Sequence, residues 1–204
     1  MKKIHLLIVL ALLSLIFTAC PPSDEDIDYS LISTFDIFTV QSDGTTVLMK
    51  GEIKDRTLFD FNSMLKGHPN IKLIKMGDVP GSSDDEINFQ VGVSLREKGI
   101  NIHILDDSEI ASGGVDFFLA GVKRTCGVNT KLGVHSWSDD EGKQATNFPK
   151  SSDEHRANIK YYEDLGYSAE WAKDFYFFTI YAAPANNIHW MTEEEISKYK
   201  IFTD

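Results

Sequence analysis

The stretch EIASGGVDFFLAGVKR, residues 109–124, sets a serine and two glycines at the head of an apolar run. Residues 112–121 read as a short buried helix, and two readings of Ser112 compete. Serine is a favoured helix cap, because its oxygen accepts one of the N–H groups that a helix start leaves unpaired. A small hydroxyl beside free N–H groups and permissive glycines also has the parts of a nucleophile with an oxyanion hole. Spacing alone favours the cap, so the neighbouring elements have to decide.

Working outward, the chain alternates between two periodicities. Residues 35–40 (FDIFTV) and 46–53 (TVLMKGEI) are rich in β-branched and aromatic residues and flank the turn-formers Ser42, Asp43 and Gly44, which predicts a hairpin. Residues 56–66 carry Leu58, Phe61 and Leu65 on one helical face, and 71–76 (IKLIKM) form a strand. A second helix follows, with Ser83 and Glu86 spaced as a capping box, Ile87, Val91 and Leu95 on one face, and Gly99 at its end. Residues 100–105 and 131–137 are further strands. The C-terminal third is helical, with capping boxes at Ser151/Glu154 and Thr192/Glu195. The aromatic run 166–184 is interrupted by Glu170, Lys173 and Asp174, so it reads as a buried helix or an oligomer contact rather than a membrane span.

Strands joined by crossover helices predict an α/β fold with a mostly parallel sheet and flanking helices. Such folds bind ligands at the carboxyl ends of strands. Three polar segments fall there: 80–83, 108–114 and 135–140. Together they offer a complete set of parts: Ser112 as nucleophile, His135 as base, and backbone amides of Gly81, Ser82 and Gly113 as oxyanion donors.

Order, spacing and predicted elements over residues 46–204 resemble the proteolytic subunit of Clp protease and its relatives in the Clp/crotonase superfamily, whose sheets are built from ββα units. Val79, Pro80, Gly81 and Ser82 match the family's first turn, and Ser112 its nucleophile, with Ala120 and Gly121 ending the helix. His135 matches its catalytic histidine. The resemblance implies a hydrolase of peptides, or of small esters or amides, that self-associates through C-terminal helices. Two departures stand out. Ser82 occupies the place of the family's second glycine, and the place of its aspartate holds Asn186, Asn187 and Ile188. Asn187 is one candidate for orienting His135; Asp139 and Asp140 are others. A catalytically silent fold that binds in the cell envelope is the alternative function.

Other polar residues have plain readings. His155 reads as a surface helix residue or a substrate contact, and His189 and Trp190 as lining the cleft or docking the last helix. His103 reads as strand filler, and Cys126 as a buried thiol with nothing to activate it. Asp116, inside the apolar helix, needs a partner such as Lys123, Arg124 or a backbone amide, unless it faces the site. No close pair of metal-ligating side chains occurs, so neither a metal nor a cofactor is expected.

The chain has 204 residues, of which 42% are hydrophobic, enough for one domain with a real core, and a formal charge of -11. With no basic run after residue 3, nucleic acid is excluded as a partner, since binding it needs clustered Lys and Arg. Lys2 and Lys3 precede an apolar stretch to Phe17, followed by Thr18, Ala19 and Cys20, which is the form of a secretory signal. It resembles a bacterial lipoprotein signal: residues 1–19 would be removed and Cys20 lipidated, placing the protein on the cell envelope, facing the periplasm or the exterior. Phe17 departs from the usual leucine. Residues 20–33 then read as an acidic tether, and 34–204 as the domain.

Overall fold

The computed structural model describes residues 27–203. The expected signal peptide and Cys20 lie outside the described residues. Packing begins before the expected boundary at residue 34: Tyr29–Leu31 form a 3-10 turn whose Tyr29 is buried against Phe35.

Six strands form the main sheet: β1 (Thr34–Phe35), β2 (Phe38–Val40), β3 (Thr46–Met49), β4 (Leu73–Met76), β5 (Asn101–Ile104) and, beyond an intervening strand, β7 (Arg124–Cys126). The expected hairpin is β2 against β3, and from β3 through β4 and β5 to β7 all neighbours run parallel. A smaller sheet holds β6 (Glu109–Ala111), β8 (Lys131–Val134) and β9 (His189–Trp190), with β6 and β8 parallel and β9 antiparallel. The sequence reading lacks β6, β7 and β9, because two or three residues are too few to set a period of two.

Parallel neighbours need crossovers, and helices supply them. Helix α1 (Thr57–Gly67) joins β3 to β4, α2 (Asp85–Glu97) joins β4 to β5, and α3 (Gly113–Leu119) joins β6 to β7. Phe61 of α1 and Val91 and Leu95 of α2 are buried, as their spacing predicts, while Leu58, Leu65 and Ile87 are half-buried, and Met64, outside the predicted face, is buried as well. The cap of α2 differs from expectation. Asp84, extended at φ -143°, accepts the Ile87 N–H, while Ser83 stands one residue outside. Likewise Ser152, not Ser151, caps the turn before α4 (Arg156–Asp164), whereas the Thr192/Glu195 box at α6 (Glu193–Lys198) forms as expected.

Helix α5 (Ala169–Ala182) buries Phe175 and Tyr176 against the core. No helix among the described residues is long and apolar enough to cross a membrane. Fully buried Phe38, Phe61, Phe117, Phe118 and Phe175 anchor the core, each stabilising the fold by about 1.5–3 kcal/mol. At the β7 edge the buried Arg124 guanidinium donates to the carbonyls of Ile201 (2.7 Å), Gly121 (3.0 Å) and Lys200 (3.3 Å). The Thr203 N–H returns to the Arg124 carbonyl, so the last residues complete that edge.

Candidate active site

Strand β6 ends at Ala111, whose N–H donates to the Val79 carbonyl, and the Ser112 N–H donates to Gly133 of β8 at 2.8 Å. These two bonds hold the chain as it turns from strand into α3. Ser112 sits at φ 51°, ψ -130°, and its side chain makes no capping hydrogen bond. A capping serine has extended backbone and an accepting oxygen, and Ser112 has neither. A non-glycine residue at positive φ stores about 1–3 kcal/mol of strain, and a sharp strand-to-helix turn of this kind lifts a hydroxyl clear of its neighbours.

The turn can be this tight because of glycines. Gly81 sits at φ 148°, and a Cβ there would lie 3.2 Å from the Ser112 Cβ. A Cβ on Gly113 would lie 2.6 Å from the Ser82 Cβ and 2.9 Å from Asn88 Nδ2. Ser82 therefore packs against Gly113 in the place where the resemblance expects a glycine, and its hydroxyl donates to Asp85 at 2.6 Å. Buried Asn88 donates to the Gly113 carbonyl at 2.8 Å and fixes the start of α3. Among the described residues, no acceptor occupies the N–H groups of Gly81, Ser82 or Gly113.

β8 and β6 are parallel neighbours with Gly133 opposite Ala111, so Ser112 and His135 emerge from adjacent strand ends. Both line one small cavity of about 50 Å³, together with Asp116, Trp137, Tyr162 and Tyr176. His135 Nδ1 lies 2.7 Å from the Ser136 carbonyl. A carbonyl only accepts, so Nδ1 carries a proton and the tautomer of the neutral ring is the one with its lone pair on Nε2. Buried Ser136 is itself held by its N–H bond to Ala183. Among the described residues no hydrogen bond joins Ser112 Oγ to His135.

The other candidates lie elsewhere. Asn187 is exposed, with its side-chain oxygen accepting the Ile188 N–H at 2.9 Å. Asp139 accepts the Glu141 and Lys143 N–H groups in its own turn, and Asp140 is exposed. None of the three reaches His135; a backbone carbonyl holds the ring. His155 is not a surface residue, and it does not line the cavity. It is 1% exposed, and Trp137 donates to the Tyr176 hydroxyl, which donates to His155 Nδ1, while His155 Nε2 donates to the Pro149 carbonyl. That chain braces the Trp137 and Tyr176 wall of the cavity. His189 pairs with Glu195 at 2.8 Å, and His103 meets Thr125 across β5 and β7. Cys126 is half-buried rather than buried. Asp116 meets neither Lys123 nor Arg124; it accepts a hydrogen bond from Tyr162 at 2.5 Å and lines the cavity. Burial, reinforced by Asp85, raises its carboxyl to about 7 against the lowering effect of Tyr162. Among the described residues, no group of three or more His, Cys, Asp or Glu side chains could hold a metal ion.

No protein-family model and no curated protein sequence matches the chain. Solved structures do. A mutant of the membrane-bound stomatin-specific protease 1510-N, in complex with a substrate peptide, is 19% identical with a TM-score of 0.51, over 78% of this chain and 72% of that one. A mutant of ClpP1 from Listeria monocytogenes is 20% identical with a TM-score of 0.51, over 78% of this chain and 90% of that one. The chain has a Clp-like fold. At this identity the likeness is one of architecture, and the mostly parallel sheet with flanking helices is its common ground. Within that Clp-like frame, Ser112 and His135 occupy strand ends that meet at one cavity.

Proposed function

We propose that this protein is a serine hydrolase acting on peptides, or on small esters or amides, outside the cytoplasm and held to the envelope by a lipid on Cys20. The anchor and the compartment rest on residues 1–20 of the sequence. The observation that carries the hydrolase reading is the backbone of Ser112: a strained, uncapped hydroxyl where a helix cap would be relaxed and hydrogen-bonded. Structural likeness to two proteases supports it at the level of fold.

In this reading His135 Nε2 removes the Ser112 Oγ proton as the oxygen attacks the substrate carbonyl carbon. Negative charge on the carbonyl oxygen is met by the N–H of Gly113 and that of Gly81 or Ser82. Protonated His135 then passes its proton to the leaving group, and water hydrolyses the acyl-enzyme by the same steps in reverse order. The Ser136 carbonyl keeps the ring in the right tautomer, as a triad acid would, but without a full negative charge to stabilise the imidazolium. The pair is a Ser/His dyad set by the backbone.

A fluorophosphonate probe at neutral pH should label the wild-type protein and fail to label Ser112→Ala. A folded wild-type sample that stays unlabelled would overturn the reading. The second reading, a silent Clp-like fold that binds in the envelope, is favoured by the missing Ser112–His135 hydrogen bond. Catalytic contacts in unliganded sites often close only around substrate, which keeps the first reading ahead.

A further inference from the structure

We infer that the cavity beside Ser112 receives a cationic part of the substrate, the ammonium of a lysyl side chain next to the scissile bond, with Asp116 as its counter-ion. The inference rests on reading Ser112 as the nucleophile. Ser112 and Asp116 are four residues apart at the start of α3, so they share one helical face, and both line the cavity. The charged residues lining it are Asp85 and Asp116, with no Lys or Arg among them. Asp85 is exposed and accepts the Ser82 hydroxyl on one oxygen. Asp116 is not fully occupied: Tyr162 bonds one carboxylate oxygen, and among the described residues nothing bonds the other or forms an ion pair with it.

The remaining lining fits the rest of such a side chain. Val115, Val134 and Ile180 offer apolar contact to an unbranched methylene stem. Burial disfavours the ionised form of Asp116, and an incoming cation would reverse that preference. Of the other groups facing Asp116, Tyr162 through its hydroxyl and Tyr161, which donates to the Asp116 backbone carbonyl, are neutral, Asp85 adds negative charge, and His135 lines the same cavity.

The test compares peptidyl-lysine and peptidyl-norleucine fluorogenic amides, which share a four-carbon stem and differ in the terminal ammonium. Lysine should be preferred in kcat/KM by about 10- to 100-fold, the range expected for a hydrogen bond to a charged group. Asp116→Asn, which keeps an acceptor for Tyr162, should collapse that ratio towards one. A wild-type ratio near one, or a ratio unmoved in a folded Asp116→Asn protein, overturns the proposal and leaves Asp116 as a tie between α3 and α4. If Asp116→Asn does not fold, the wild-type ratio alone decides. Should no hydrolysis be seen, the hydrolase reading fails separately. The cavity is then tested by calorimetry on Ser112→Ala with acetyl-lysine amide and acetyl-norleucine amide, and equal binding of the two, or none by the lysine compound, overturns the proposal. Cadaverine in the same titration distinguishes a site for free amines from one for peptides: binding it more tightly than acetyl-lysine amide overturns the peptide assignment.

Discussion

Replacing Asp116 by Asn should change how stability depends on pH more than it changes stability itself. The Asp116 carboxyl is raised from an ordinary 3.8 to about 7, chiefly by burial, with Asp85 adding to the rise and the Tyr162 hydroxyl opposing it. A carboxyl that binds its proton more tightly when folded favours the folded state at low pH. That contribution is complete below about 4 and is lost as pH climbs through about 7. The displacement corresponds to at most about 4 kcal/mol, an upper bound because Asp116 keeps a solvent-facing edge. Urea unfolding of the wild type and Asp116→Asn at pH 4.5, 6.0 and 7.5 measures it, since every other titrating group cancels in the difference. The wild type should lose ground to the variant at each step upward. Parallel stability curves, or a wild type that gains on the variant as pH rises, would refute the burial argument and remove one support for the cation pocket.

Further expectations concern the turn and the cavity wall. Ser112→Gly should abolish fluorophosphonate labelling yet raise stability by up to about 1 kcal/mol in thermal unfolding, because glycine adopts φ 51° without strain. Gly113→Ala should cost about 1–3 kcal/mol, since the added methyl would sit 2.6 Å from the Ser82 Cβ and displace the start of α3. His155→Phe should lower stability by about 1–3 kcal/mol by stranding the Tyr176 hydroxyl and the Pro149 carbonyl, as chemical denaturation would report. Asn187→Ala should leave the pH profile of labelling unchanged, because Asn187 bonds only within its own turn.

Much of the fold was legible because crossover helices advertise themselves. The spacing of Phe61 in α1 and of Val91 and Leu95 in α2 marks faces that are indeed buried, and the strands between them follow. Three strands were not legible, since β6 and β9 of the second sheet and β7 at the edge of the main one are shorter than a pattern needs. At the site, the sequence reading sets Ser112 after the strand at 100–105, whereas it follows β6, the parallel neighbour of the strand that leads to His135. What orients His135 could not be read: a main-chain carbonyl has no letter of its own, so the search among side chains turned to Asn187, Asp139 and Asp140. Asp116 was visible as a charge in an apolar helix, but its partner Tyr162 is 46 residues away. His155 misled in the opposite sense. Its polar neighbours Glu154 and Arg156 suggest a surface, while Trp137, Phe148, Tyr176 and Phe177, drawn from three other segments, enclose it.

The clasp that Arg124 makes with residues 200–203 also bears on how the protein folds. A guanidinium taken out of water needs its acceptors at once, and two of the three are carbonyls 76 and 77 residues further along the chain. Burial of Arg124 therefore has to coincide with the docking of residues 200–203, and the β7 edge cannot close ahead of them. Two segments remote in sequence are tied into one cooperative step.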